Sequence, residues 1–349
     1  MKAIRVVVLD DSAICRVQLA HFLQAEGDIE VVGEAGNGEH AQEIVQQTRP
    51  HLLIVDLQMP GTDGHETIRQ VMANTPLPIL VVTSQSVGPD RQIVFEAIRK
   101  GALDLAEKPA LLDLSAQSQL RSTVRRLATV PVVRHVAGKL NERPKTFPQP
   151  SIFPPVGSSS LVIGIGSSAG GPHALASVLA SWDENLKASV LVVQHLPANF
   201  LAVFGEFLAA RTTLNVVVVS AKQPLKPATV YIAGRDAHLG LVGLDTVGLI
   251  DGPTRDGHRP SVDVLFESLA QHAGRRASGI VLSGIGRDGA DGLKLLRNRG
   301  GYCLAQDQET SAVWGMPRAA LECGAAESSL PPRGLAEVVS KWAHVGGKG

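Results

Sequence analysis

The stretch Leu161–Pro172, LVIGIGSSAGGP, narrows the folds open to this chain more than any other. A β-branched apolar run breaks into small residues and then leads into a helical pattern over His173–Trp182. A strand feeding a glycine-rich turn and a helix start is the unit from which parallel α/β sheets are built. Such a turn presents backbone N–H groups and the positive end of a helix dipole. Two fingerprints overlap in it. Gly164-Ile-Gly166-Ser-Ser-Ala169 fits the dinucleotide pattern G-x-G-x-x-G/A. Gly166-Ser-Ser168-Ala-Gly170 fits the nucleophile elbow G-x-S-x-G, which lifts Ser168 out of a tight turn.

The 349 residues suffice for two ordinary domains. A formal net charge of +0 gives no basic footprint for nucleic acid or an anionic membrane. The cysteines Cys15, Cys303 and Cys323 show neither metal-ligand spacing nor a disulfide framework, which suits a reducing compartment. With no apolar run near the ~20 residues that span a bilayer, the expectation is a soluble, cytoplasmic protein without membrane insertion.

From Met1 to about Ser122, strands at Ile4–Leu9, Ile29–Glu34, Leu52–Val55, Ile79–Thr83 and Asp104–Ala106 alternate with amphipathic helices. Polar groups follow their carboxyl ends: Asp10 and Asp11, then Asp56, Thr83 and Lys108-Pro109. Clustered carboxylates at neighbouring strand ends form a hard oxygen site suited to Mg²⁺. A phosphoryl group arriving at Asp56 would meet that metal, the Thr83 hydroxyl and the Lys108 ammonium.

Leu9-Asp-Asp-Ser12, Asp56-Leu-Gln-Met-Pro60, Asp63-Gly64, Thr83-Ser84 and Gly101-Ala102 through Lys108-Pro109 closely resemble the receiver domain of two-component response regulators. The resemblance implies a flavodoxin-like fold and phosphorylation at Asp56. It also implies Mg²⁺ held by Asp11, Asp56 and the Gln58 carbonyl, Asp10 helping through water, and a cis Lys108-Pro109 bond. The family's aromatic switch on the fifth strand is Leu105 here, so an aromatic rotation cannot carry the signal.

Prolines at 131, 144, 148, 150, 154 and 155 mark a semi-rigid linker. Arg121, Arg125, Arg126, Arg134, Lys139, Arg143 and Lys145 make it mildly basic and solvated. The expected boundaries are a receiver over 1–122, a linker over 123–159 and a second α/β domain over 160–346.

That second domain reads as another doubly wound parallel sheet with an antiparallel hairpin, His238–Leu244 and Thr246–Asp251, on an edge. Strand Ser189–Gln194 runs into His195, and strand Gly279–Ser283 into Gly284-Ile-Gly-Arg-Asp288-Gly289. Consecutive strand ends of a parallel sheet lie close together, so Ser168, His195 and Asp288 can meet at one rim as nucleophile, base and orienting acid. Gly284–Gly289 is itself a second G-x-G-x-x-G, with Asp307 about 20 residues on. The first fingerprint lacks such an acid, and the pattern favours a hydrolase over a dehydrogenase. His258 is open between lining the cleft and making a turn; His173, His238, His272 and His344 read as surface or packing residues.

Ile165–Gly171, Gln194-His195-Leu-Pro197, His258-Arg-Pro-Ser-Val-Asp263, Leu282–Ala290 and Ala305-Gln-Asp307 through Gly315-Met-Pro-Arg318 together resemble the catalytic domain of the chemotaxis methylesterase family CheB. The resemblance implies a Rossmann-like serine hydrolase that needs no cofactor. It assigns Ser168 as nucleophile, His195 as base and then acid, and Asp288 as the orienting group. Oxyanion donors would be the backbone N–H groups of Ala169 and Ile285. It further implies demethylation of glutamate γ-methyl esters on methyl-accepting chemoreceptors, with glutamine deamidation as a second activity, and a chemotaxis-type histidine kinase as phosphodonor. An unphosphorylated receiver is expected to restrain the hydrolase by covering the Ser168 rim. The competing readings are a catalytically silent, phosphorylation-dependent binding module and an NAD-dependent enzyme.

Overall fold

The computed structural model describes residues 3–59, 63–84, 93–130, 147–155 and 160–345. The chain divides into two compact units, Met1–Lys139 and Leu140–Gly349.

The first unit runs β1 (Ile4–Leu9), α1 (Ala13–Gln24), β2 (Ile29–Ala35), α2 (Ala41–Thr48), β3 (Leu52–Val55), α3 (Gly64–Asn74), β4 (Ile79–Thr83), α4 (Ile93–Arg99), β5 (Asp104–Glu107) and α5 (Leu114–Leu127). Its five strands are parallel, in the order β2-β1-β3-β4-β5. Val6–Leu9, Leu52–Val55 and Ile79–Val82 are buried without alternation, because helices cover both faces of the sheet. Side-chain caps set three helix starts: Ser12 accepts from Cys15 N, Asp63 from Glu66 N and Asp113 from Ala116 N. The strand order reverses between β1 and β3, so Asp10 and Asp56 flank the crevice where such sheets bind ligands.

Three details differ from the sequence reading. Helix α5 runs to Leu127, close to where helical character fades in the sequence, and so passes the boundary drawn at 122. Arg121 and Arg125 are therefore helical rather than part of a solvated linker; they pair with Glu26 at 2.8 Å and Asp28 at 2.6 Å, strapping α5 to the α1–β2 turn. Arg134, Lys139, Arg143 and Lys145 lie outside the described residues. The Lys108–Pro109 bond is trans; among the described residues the cis bond is Arg259–Pro260. Leu105 is buried on β5.

The second unit runs β6 (Leu161–Ser167), α6 (Gly171–Leu179), β7 (Ala188–Gln194), α7 (Leu201–Ala209), β8 (Asn215–Val219), β9 (Gln223–Pro224), β10 (Thr229–Ala233), β11 (His238–Gly243) and β12 (Thr246–Ile250). It continues through α8 (Val262–His272), β13 (Ala277–Val281), α9 (Ala290–Asn298), β14 (Tyr302–Gln306), α10 (Met316–Glu322), β15 (Ser328–Leu330) and α11 (Pro332–Val345). Seven parallel strands form one sheet in the order β15-β14-β13-β6-β7-β10-β8. The hairpin β11–β12 does not extend that sheet. It pairs with β9 in a separate three-stranded antiparallel sheet, because Leu239, Leu241 and Val247 are drawn into the core shared with α8.

The chain builds outward from β6 on one side, then crosses to β13 on the other. The switch point therefore falls between β6 and β13, where Ser168 and the Gly284–Gly289 loop emerge. Helix α8 lies close over this region: a Cβ at Gly166 would stand 2.0 Å from Val262 Cγ1. Part of the proline-rich segment belongs to this unit. Ser151 Oγ donates to Glu327 at 2.6 Å, and Phe147 covers Gly334, where a Cβ would meet its ring at 2.7 Å. Among the described residues no helix is long and apolar enough to cross a membrane.

Candidate active site and receiver pocket

Ser168 and His195 come together through strand register. Ser167 is paired with Gln194 on the adjacent parallel strands β6 and β7, so the residues that follow them leave the sheet side by side. Neighbouring strands lie about 4.8 Å apart. His195 N donates to Ser167 O at 3.0 Å, and Ser168 N donates across to Ser283 O, also at 3.0 Å. The loop after β13 can approach Ser168 because residue 284 is glycine; a Cβ there would meet Met316 Sδ at 2.2 Å and Ser168 Cβ at 2.9 Å.

The His195 ring meets Asp288 directly, Nε2 to Oδ2 at 2.7 Å. Asp288 accepts three further hydrogen bonds, from Ser261 Oγ (2.8 Å), Val262 N (2.8 Å) and Asp263 N (3.0 Å). The carboxylate thus occupies the N-terminus of α8, where unsatisfied N–H groups and the helix dipole favour an anion. Burial alone would raise its pKa. The hydrogen bond and charge of His195, aided by the Val262 and Asp263 amides, outweigh that and hold the carboxyl below its ordinary value. His195 Nδ1 is buried and, among the described residues, has no hydrogen-bond partner. Strand register sets Ser168 beside His195, and among the described residues no hydrogen bond joins the serine hydroxyl to the ring.

Several supports were not anticipated from the sequence. Gln194 is buried, and its Nε2 donates to Ser168 O at 2.9 Å and His195 O at 3.2 Å while its Oε1 accepts from Ser167 Oγ at 2.7 Å. One amide therefore ties the serine turn to the histidine strand end. Ser283 Oγ donates to Ala169 O at 2.8 Å, pinning the turn from the other side. Ser261 carries a readable sign, a serine just before an apolar helical run. Its partner Asp288 is 27 residues away, beyond reach of local pattern.

Two further histidines pack near the site. His258 both makes a turn and reaches the cleft: its ring stacks on His195 with centroids 3.8 Å apart and planes 6° apart. His238 is a buried packing residue as expected, donating from Nε2 to Pro253 O at 2.9 Å and accepting from Ser261 N at Nδ1. The second glycine fingerprint leads into α9, whose Gly292 N–H is taken by Asp263 Oδ1 at 2.7 Å. With the Asp288 carboxylate capping the start of α8 and the Asp263 carboxylate capping the first turn of α9, the protein's own acids occupy the helix start that the second fingerprint would offer a dinucleotide.

In the first unit, Asp10, Asp11 and Asp56 bring carboxylate oxygens within 4.8 Å of one another. Lys108 Nζ lies 2.7 Å from Asp10 Oδ2 and 2.6 Å from Asp56 Oδ2, reached with the trans Lys108–Pro109 bond. Gln58 N donates to Asp56 Oδ1 at 3.3 Å. Thr83 is buried at the end of β4, where its carbonyl accepts from Lys108 N at 2.9 Å. Burial raises the Asp56 pKa, helped by the Asp10 charge and opposed by Lys108. For Lys108 burial works downward, but the two carboxylates outweigh it and the pKa rises. All-oxygen donors with one exposed carboxylate, Asp11, fit a hard divalent cation that keeps several waters.

Together these features define a two-unit α/β protein: a receiver whose carboxylates sit at one switch point, and a hydrolase-type sheet with serine, histidine and aspartate at another. Residues 163–339 match the CheB methylesterase family and residues 6–118 the response regulator receiver domain. The chain belongs to the CheB methylesterase family. It is 42% identical over 97% of its length, and 97% of the relative's, to protein-glutamate methylesterase/protein-glutamine glutaminase 2 of Anaeromyxobacter dehalogenans. It is 36% identical to a protein of the same activity name from Cupriavidus pinatubonensis, covering 95% of each chain. The crystal structure of the Thermotoga maritima CheB methylesterase catalytic domain superposes with a TM-score of 0.51 at 32% identity, covering 53% of this chain and 99% of that one.

Proposed function

We propose that this chain hydrolyses glutamate γ-methyl esters on methyl-accepting chemoreceptors, and deamidates receptor glutamines, under control of phosphorylation at Asp56. The observation that carries the reading is the His195–Asp288 pair at the switch point beside Ser168, with Asp288 fixed by four donors.

Ser168 is the nucleophile. His195 Nδ1, buried and without a hydrogen bond among the described residues, takes the Ser168 proton, because Nε2 is committed to Asp288. The Ser168 oxygen adds to the ester carbonyl, and the oxyanion is met by the Ala169 and Ile285 N–H groups. Among the described residues no backbone hydrogen bond engages either amide. Each such donor supplies about 3–4 kcal/mol of transition-state stabilisation. The imidazolium returns its proton to the departing methoxide, releasing methanol; an amide substrate releases ammonia by the same steps. Water, deprotonated by His195, then adds to the acyl-enzyme and regenerates Ser168. Asp288 stays ionised throughout and keeps the ring in one tautomer.

In the receiver, Asp56 accepts the phosphoryl group from a chemotaxis-type histidine kinase. Asp11, Asp56 and the Gln58 carbonyl, with Asp10 through water, would hold Mg²⁺, which supplies charge neutralisation for the transfer. Lys108 pairs with the carboxylates before transfer and would pair with the phosphoryl oxygens after it, and the Thr83 hydroxyl would meet the same group. The direct test is Ser168→Ala in the full chain, with methanol release from methylated receptor membranes as readout. The expected loss is at least about 1000-fold; release at the unsubstituted rate refutes the assignment.

A further inference from the structure

The segment Arg255–His258 closes on itself. Arg255 N donates to His258 O at 3.0 Å, and His258 N donates to Arg255 O at 2.9 Å. Between them Asp256 has φ +49° and Gly257 φ +80°. Two positive φ values in succession make a two-residue turn of the primed kind, for which Asp-Gly is a preferred pair. The turn is fastened at both ends. Arg255 pairs with Glu267 of α8 at 2.9 Å, and Ser261, three residues after His258, caps the same helix. The backbone that carries His258 is therefore held to the helix whose first amides hold Asp288.

From that turn the imidazole of His258 lies flat on His195, at 3.8 Å and 6°. The Cβ–Cγ bond and a single hydrogen bond from Nε2 to Asp288 hold two points of the His195 ring and leave its plane free to pivot about the line between them. A parallel plate against one face removes the pivot. We propose that His258 is a positioning residue: its stacked ring fixes the plane of His195, so that Nε2 on Asp288 and Nδ1 toward Ser168 are aligned together. The inference rests on the reading of His195 as the base that serves Ser168. What matters in His258 under this reading is its flat ring, more than its nitrogens.

The test compares full-length protein with His258→Ala, His258→Phe and Ser168→Ala, using chemoreceptor membranes carrying labelled methyl esters and counting released methanol. Sulfonylation of Ser168 by phenylmethylsulfonyl fluoride gives a second readout that does not depend on receptor binding. His258→Ala is expected to lower kcat by about 10- to 100-fold, the scale of a small misplacement of a reacting group, with KM within about twofold. Sulfonylation should slow in step. His258→Phe keeps a flat ring and should restore both rates to within a few-fold. The proposal is overturned if His258→Ala leaves kcat and sulfonylation unchanged, or raises KM alone, which marks a substrate contact. It is also overturned if His258→Phe, folded and soluble, is as slow as His258→Ala. In each of those cases unsubstituted protein stays active and Ser168→Ala silent, so the esterase reading stands. Unsubstituted protein no faster than Ser168→Ala would bring down both.

Discussion

Asp56 and Asp288 occupy equivalent places, each beside the crevice where its parallel sheet reverses strand order, yet their surroundings are opposed. Asp56 has two donors, Lys108 Nζ at 2.6 Å and Gln58 N at 3.3 Å, and faces the like charges of Asp10 and Asp11. Asp288 has four donors and sits on a helix N-terminus. Burial raises the pKa of the first, while hydrogen bonds and the His195 charge lower that of the second. A carboxylate with few donors and acidic neighbours favours an incoming cation or electrophile. One whose lone pairs are all engaged cannot change partners and can only orient the group it holds. Two parallel sheets thus hold, at their switch points, a carboxylate with few donors in one unit and a fully engaged one in the other.

The sharpest way to break this comparison is Asp288→Asn. An amide offers an N–H where His195 Nε2 or the α8 amides need an acceptor, so kcat should fall on the order of 10³- to 10⁴-fold. A loss under tenfold, measured by methanol release, would mean that Asp288 is not the orienting group. Asp56→Asn should act differently. It should abolish stimulation by a small phosphodonor such as acetyl phosphate while leaving the unstimulated rate in place. A variant that still responds would move the phosphorylated position elsewhere.

Acidification should separate the two carboxylates. Asp56, whose pKa burial raises, should take up its proton first as pH falls, and the phosphorylation proposed there should fail with it. Asp288, with a lowered pKa, contributes stability that is fully present above the unfolded carboxylate pKa and is lost only as pH falls through the depressed folded value. Carbon-13 titration of labelled aspartates would show that order or its reverse. The smallest effect belongs to Ser261→Ala, which removes one of four donors to Asp288 and the cap of α8. Thermal or denaturant unfolding should register about 1–2 kcal/mol, with a rate loss of only a few-fold.

Strand ends were the legible part of both sites. Continuous apolar runs locate buried parallel strands, and their carboxyl ends are where such sheets bind, so Asp10, Asp56, Lys108, Ser168, His195 and Asp288 could be named from sequence. What could not be read depends on contacts between distant segments. Nothing near Asp288 announces that the start of α8 will receive it, and Gln194 reads as one more strand residue until Ser167 and Ser168 are placed beside it. The hairpin's alternation is the same whether it extends the large sheet or pairs with the two residues of β9. Arg121 and Arg125 read as linker charges because their partners, Glu26 and Asp28, lie nearly a hundred positions earlier. The three residues of β15 are too few for any period to show.

Gly166 has a consequence of its own. Val262 fills the space a side chain would take there, so the helix gripping Asp288 is seated on the strand that delivers Ser168. Their separation is set by the interior of the domain and not by a loop that could soften earlier. Warming should therefore leave the Ser168 strand and the helix that holds Asp288 in register until the core itself gives way.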